Sequence, residues 1–358
     1  MSDRTAPRNE AIEVVIPTLL RALAALETAS RFMHPPRLPQ LADDLDEHDT
    51  ALRDALARLH ATGNADETGI LLPAVEYALQ ACEGVRAAPA QPNPMVSAYR
   101  AMRQLSRSLE ALYPLATDLD SVSNFFLEPS AHRAAPHPPF AAGTGVAHVR
   151  NQTNQRGGFS IYVPEDCDHA TPMPLIMALH GGAGHGRLFL WNWVREARSR
   201  RMIVVAPTAI GSTWSLMEPE VDTDNLARIL DNVSNRWSVD ASHRLLTGMS
   251  DGGTFTLLSG LSENSPFTHL APVAASFHPL LVAVTEPTRI AGLPIYLIHG
   301  ALDWMFPVSV GRTAHRTLAA AGAQVTYCEV ADLSHAYPRD RNGDILDWLQ
   351  GSVPKPQV

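Results

Sequence analysis

Ile12, Val15, Ile16, Leu19, Leu20, Leu23 and Leu26 recur at three- and four-residue steps, which predicts an amphipathic helix near the start of the chain. Pro35-Pro36 ends it. A second helix is predicted over about 38–59, with Leu41, Leu45, Leu52, Leu56 and Leu59 on one face and acids on the other. A third covers about 67–85, and a fourth about 94–115, set off by the proline-bounded stretch 89–94. A short fifth segment runs over about 119–127. Four helices of about 20 residues joined by short connections suggest an up-down bundle.

Near residue 130 the rhythm changes. Residues 131–144 (AHRAAPHPPFAAGT) are rich in Pro, Ala and Gly and read as a linker. Beyond it, strands are predicted over 145–150, 159–163, 174–179, 202–206, 243–246, 271–277, 294–298 and 325–330. Helices are expected between and after them, over about 223–237, 308–321 and 344–349. Strands that are apolar throughout and alternate with helices predict an α/β fold whose mostly parallel sheet is covered on both faces. The expected organisation is a helical domain over 1–130, a linker, and an α/β domain over 145–358.

Composition narrows the class of protein. The chain of 358 residues is 45% hydrophobic and 18% charged, enough apolar material for a large core and for two domains. Its net charge of -9 argues against nucleic-acid and anionic-membrane partners, both of which attract basic faces. No run approaches the about 18 apolar residues of a membrane span. Cys82, Cys167 and Cys328 are scattered, with no metal-ligand spacing. Together with a start that lacks a secretory pattern, this count points to the cytoplasm.

The sharpest chemical signal is Gly248-Met249-Ser250-Asp251-Gly252-Gly253, placed directly after a strand and before the apolar helical run TFTLLSGL. A sharp strand-to-helix turn needs small residues around the serine and projects its hydroxyl from the carboxyl edge of the sheet. The nearby helix N-terminus favours a developing negative charge. A serine hydroxyl needs a base to take its proton. Downstream, Asp303 follows the strand PIYLIHG and His335 follows the strand VTYCEV, giving the chain order nucleophile, acid, base. Asp332 is a rival acid, but it is a near neighbour of His335 on one loop. His299 reads as a packing histidine, and His278 and His315 lack an acid in the expected order. For the oxyanion, His180-Gly181-Gly182-Ala183-Gly184 ends another strand, and glycine lets backbone N–H groups approach closely. The expected donors are the amide of Asp251 and one of the Gly181–Gly182 turn.

These motifs, LHGG at 179–182, GMSDGG at 248–253, HGALDWMFPV at 299–308 and SHAYP at 334–338, resemble the α/β-hydrolase superfamily over about 145–352. The resemblance is to its esterase branch, near the feruloyl esterases, polyhydroxybutyrate depolymerases and phospholipase/carboxylesterases. It implies acyl-ester hydrolysis through an acyl-serine, with Ser250, Asp303 and His335 as the catalytic set and no cofactor or metal. The helical region 1–130 has no counterpart in the compact members of that branch; capping of the site and homo-oligomerisation are its candidate roles.

Trp191, Trp214, Trp304 and Phe306 fall on loops near the expected site and are candidates to line an aryl or short-acyl pocket for a small-molecule ester. Glu218, Glu220, Asp222 and Asp224 read as a solvated acidic loop entering a helix rather than a metal site. Two other functions fit the same scaffold: a peptidase or amidase, and a catalytically silent binding protein.

Overall fold

In this computed structural model, residues 10–61, 65–132 and 141–351 are described. The chain divides into two compact units, 1–137 and 138–358. Most of the expected linker, residues 133–140, lies outside the described residues.

The first unit is helical. Its helices are α1 (Glu10–Arg31), α2 (Leu38–Asp44), α3 (Asp46–Ala61), α4 (Ala65–Ala87), α5 (Pro94–Leu112) and α6 (Asp120–Phe125). Val15, Ile16, Leu19, Leu23 and Leu26 of α1 are buried, as their spacing predicts. The α4–α5 contact is close because its residues are small: a Cβ on Gly84 would lie 2.6 Å from that of Ala101. The Ser108 hydroxyl on α5 donates to the Ala74 carbonyl of α4 at 2.6 Å. The helix expected over 38–59 is two helices, broken at the buried Leu45. Asp46, Glu47 and Asp49 open α3, and acids in a first turn favour a fresh N-terminus over continuation of the preceding helix.

The second unit is an eight-stranded sheet among the described residues: β1 (Gly145–Val149), β2 (Phe159–Val163), β3 (Met173–Leu179), β4 (Ile203–Pro207), β5 (Val239–Met249), β6 (His269–Val273), β7 (Pro294–Gly300) and β8 (Gln324–Val330). The strand order is β1-β2-β4-β3-β5-β6-β7-β8. β2 runs antiparallel to both its neighbours, and the pairings from β4 through β8 are parallel. The helices of this unit are α7 (Gly186–Phe189), α8 (Val194–Arg200), α9 (Glu220–Ser234), α10 (Asp251–Gly260), α11 (Leu280–Ala283), α12 (Pro287–Ile290), α13 (Val308–Ala320) and α14 (Asn342–Leu349). Every residue of β2 and β4 is buried, as expected for strands covered on both faces. Leu175, Met177, Val205, Leu246, Phe255 and Leu297 belong to one core cluster. β6 is shorter than the segment expected over 271–277, because Ala274 takes a positive φ of 46° and turns the chain out of the sheet. Parallel pairing places the carboxyl ends of β3, β5, β7 and β8 along one edge, where parallel sheets present their ligand sites.

Candidate active site

Ser250 stands between β5 and α10 with φ 56° and ψ -119°, a region that side-chain-bearing residues seldom occupy. Neighbouring glycines make this turn fit. A Cβ on Gly248 would come 2.8 Å from the Leu179 Cβ, and one on Gly252 would come 2.5 Å from the His180 carbonyl. The Ser250 amide donates to the Val273 carbonyl at 2.9 Å, and Thr254 N–H donates back to the Ser250 carbonyl at 2.8 Å. The strained residue is therefore pinned from both sides.

A continuous hydrogen-bonded chain leaves its hydroxyl. Ser250 Oγ lies 3.0 Å from His335 Nε2, and His335 Nδ1 lies 2.9 Å from Asp303 Oδ2. All three residues are buried. With the ring proton on Nδ1, donated to the carboxylate, Nε2 is free to accept from serine. Asp303 Oδ1 accepts the amides of Met305 at 2.9 Å and Phe306 at 2.8 Å. Burial pushes the Asp303 carboxyl up, but the His335 hydrogen bond and charge and the two amides outweigh it and hold it below its ordinary value. His299, expected only to pack, also braces this loop: its Nε2–H donates to the Phe306 carbonyl at 2.8 Å. Asp332 is exposed, and the carboxylate that His335 meets is that of Asp303.

The 180–184 turn flanks the serine. A Cβ on Gly181 would lie 3.7 Å from Ser250 Cβ, and one on Gly182 would lie 2.8 Å from Asp251 Oδ2. The turn closes on itself through Gly184 N–H donating to the Gly181 carbonyl at 3.0 Å. The His180 ring works on both sides of it. Nδ1 donates to the Gly181 carbonyl at 2.7 Å, and Nε2 accepts the Ala209 amide at 3.1 Å. Burial pushes the His180 pKa down to about 3, so the ring is neutral and holds the tautomer this arrangement requires.

A second loop, 207–216 after β4, locks onto that turn through residues the motifs did not single out. Arg156 Nε donates to the carbonyls of Ala209 and Gly211, and its Nη1 donates to the carbonyl of Gly184 at 2.8 Å. Asp222 is fully buried and accepts the amides of Ile210 and Ser215, each at 2.9 Å. It thus corrects the reading of four solvated acids: Glu218, Glu220 and Asp224 are exposed, and Asp222 is a structural acceptor. Thr213 Oγ1 donates to Asp251 Oδ2 at 2.6 Å.

The aromatic candidates separate into two groups. Trp214 is 2% exposed; its indole N–H donates to the His180 carbonyl at 2.7 Å and its ring stacks on Phe255. Trp191 is likewise 2% exposed. Both are interior residues rather than residues of an exposed rim, and it is in the interior that large rings remove the most apolar area from water. Trp304 and Phe306 instead edge the His335 ring, with centroids 6.5 and 5.4 Å away, and Trp304 is 44% exposed.

Sheet order, the single antiparallel strand β2 within the series, and a strained serine at the end of β5 with acid and histidine beyond β7 and β8 define the fold. This unit has the α/β-hydrolase fold. Residues 221–352 match the phospholipase/carboxylesterase family. The chain is 27% identical, over 154 residues, to a bifunctional acetylxylan esterase/xylanase, XynS20E, of Neocallimastix patriciarum. That match covers 42% of this chain and 22% of the relative, so the chain spans about a fifth of that protein's length. Among solved structures, a thermostable esterase superposes with a TM-score of 0.47 at 20% identity, over 57% of this chain and 62% of its own. Esterase PE8 superposes at 0.44 and 21% identity, over 53% and 97%. Among the described residues of both units, no cluster of His, Cys, Asp or Glu is arranged to hold a metal ion.

Proposed function

We propose that the chain is a serine carboxylic-ester hydrolase acting through an acyl-serine, with Ser250 as nucleophile, His335 as general base and acid, and Asp303 as the group that orients the ring. The observation that carries the reading is the buried relay from Ser250 Oγ to His335 Nε2 at 3.0 Å and from Nδ1 to Asp303 at 2.9 Å. In the first half-reaction, Oγ attacks the ester carbonyl as its proton passes to Nε2, and Asp303 stabilises the imidazolium. The oxyanion meets the amide of Asp251 and an amide of the Gly181–Gly182 turn, aimed from a frame already fixed by His180 and Arg156. His335 then returns the proton to the leaving alcohol. Water, deprotonated by the same ring, frees the acid and regenerates serine.

The half-buried Phe306 and the exposed Trp304 beside His335 support neutral aryl or short-chain acyl esters as the substrate class. Three buried free cysteines support a reducing, cytoplasmic setting. No helix among the described residues is long and apolar enough to cross a membrane. Self-association through the helical unit belongs to the same proposal and is read as a mass of twice the chain by light scattering. The chemical test is hydrolysis of p-nitrophenyl acetate, butyrate and octanoate by the wild type and by Ser250→Ala. Loss of about 10⁴-fold or more in the variant is expected, and unchanged turnover would remove Ser250 from the mechanism.

A further inference from the structure

We infer that Asp251 selects the substrate by charge, disfavouring esters that carry an anionic group near the reacting carbonyl and favouring neutral and cationic ones. The inference rests on the acyl-serine reading above. Asp251 directly follows the nucleophile, and its carboxylate lies over the turn that would receive the oxyanion: the Cβ position of Gly182 is 2.8 Å from its Oδ2. The adjacent residue, Gly181, presents its own Cβ position 3.7 Å from Ser250 Cβ. Consecutive Cα atoms are about 3.8 Å apart, so the carboxylate, carried by the residue next to the nucleophile, stands on the order of 10 Å from a carbonyl held at Ser250.

This charge is not neutralised. Among the described residues Asp251 forms no ion pair, and its one hydrogen-bond partner is the Thr213 hydroxyl, which engages Oδ2 at 2.6 Å and leaves Oδ1 without a donor. Arg156, part of the same framework, keeps its charge while its Nε and Nη1 donate to the carbonyls of Ala209, Gly211 and Gly184, and no ion pair joins it to Asp251. The side chain is half-buried, so water screens it incompletely. A hydroxyl donor fixes the orientation of a carboxylate without cancelling its charge. A structural acceptor alone would not need to be ionised at this position, since an asparagine oxygen accepts the same Thr213 bond.

A charged substrate group on the order of 10 Å from the carboxylate, in an effective dielectric between about 20 and about 80, alters a rate by roughly 2- to 17-fold. The test measures kcat/KM of the full chain on p-nitrophenyl butyrate, on the anionic mono-p-nitrophenyl glutarate and on the p-nitrophenyl ester of 4-trimethylammoniobutyrate. In Asp251→Asn, the glutarate-to-butyrate ratio is expected to rise about fivefold or more, and the cationic-to-butyrate ratio to fall by a similar factor. Ratios unchanged from wild type overturn the inference. Should Asp251→Asn not fold, the wild type itself carries the test. Raising salt from about 0.01 M to about 1 M shortens the screening length from about 30 Å to about 3 Å, which should lift the glutarate ratio, and a salt-independent ratio overturns the inference. Absence of any Ser250-dependent hydrolysis overturns the esterase reading together with this one, whereas hydrolysis with unchanged ratios overturns charge selection alone.

Discussion

Asp303 and His335, 32 residues apart in the chain, meet at 2.9 Å between Oδ2 and Nδ1, while the other carboxylate oxygen is occupied by the amides of Met305 and Phe306. The acid is therefore oriented from its own loop before it orients the histidine. In Asp303→Asn the amide oxygen still satisfies those two backbone donors, so the loop should keep its shape. The amide NH₂ then faces Nδ1 and drives the ring proton to Nε2, where it blocks acceptance from Ser250. kcat on p-nitrophenyl butyrate is expected to fall about 10⁴-fold with KM little changed. A loss under about tenfold would show that Asp303 is not the orienting group.

His180 gives the fold an acid-sensitive limb whose sign follows from its environment. Its folded pKa is depressed to about 3 by burial, whereas an exposed histidine titrates near about 6.5. Below about 6.5 the unfolded chain binds a proton that the folded chain refuses, so unfolding gains ground as pH falls. The His180 contribution is flat above about 6.5 and declines by about 1.4 kcal/mol per pH unit from there towards about 3. Urea unfolding of wild type and His180→Gln between about pH 7 and about pH 4 should show a shallower acid limb in the variant. Parallel limbs would mean that His180 is protonated in the folded protein.

Trp214 ties the 207–216 loop to the 180–184 turn beside Ser250 through a hydrogen bond to the His180 carbonyl, and to α10 through a ring stack on Phe255. Trp214→Phe keeps one aromatic ring but removes the N–H and the rest of the indole, leaving a buried carbonyl without that donor and a cavity beside it. The expected cost is about 2–4 kcal/mol of stability by urea unfolding. If the turn is aimed by this bond, kcat falls roughly tenfold while KM stays within about twofold, because the misplaced groups act in the transition state. A rise in KM with constant kcat would instead assign the ring to substrate binding.

What could be read along the chain were features with a local cause. The elbow at Ser250 announces itself because Gly248 and Gly252 must admit backbone at close range, and Asp303 and His335 follow because each ends a strand of apolar run and lies in the required order. Arg156 gives no such sign: its carbonyl partners Ala209 and Gly211 lie 53 and 55 residues away, and only the paired strands bring them together. The destination of the Trp214 N–H is equally a product of tertiary packing. In the second helix the error was local as well, since the acids 46, 47 and 49 carried an N-terminal signature that the leucine periodicity masked.

Asp222 is the sharpest case, because four acids stand close together in sequence and one of them is turned inward. Its carboxylate accepts Ile210 N–H and Ser215 N–H, and its own amide donates to the Ser215 hydroxyl at 3.1 Å, so it holds both shoulders of the loop that carries Thr213 and Trp214. Asp222→Ala leaves two backbone donors without an acceptor and is expected to cost about 3 kcal/mol in urea unfolding. Asp222→Asn retains one acceptor oxygen and should cost about half as much. Substituting the exposed Glu218, Glu220 or Asp224 by Ala should stay within about 0.5 kcal/mol. If Asp222 and its three neighbours proved equally dispensable, the 207–216 loop would have to be held by Arg156, His180 and the Thr213–Asp251 bond, and Arg156→Met would then carry the larger loss.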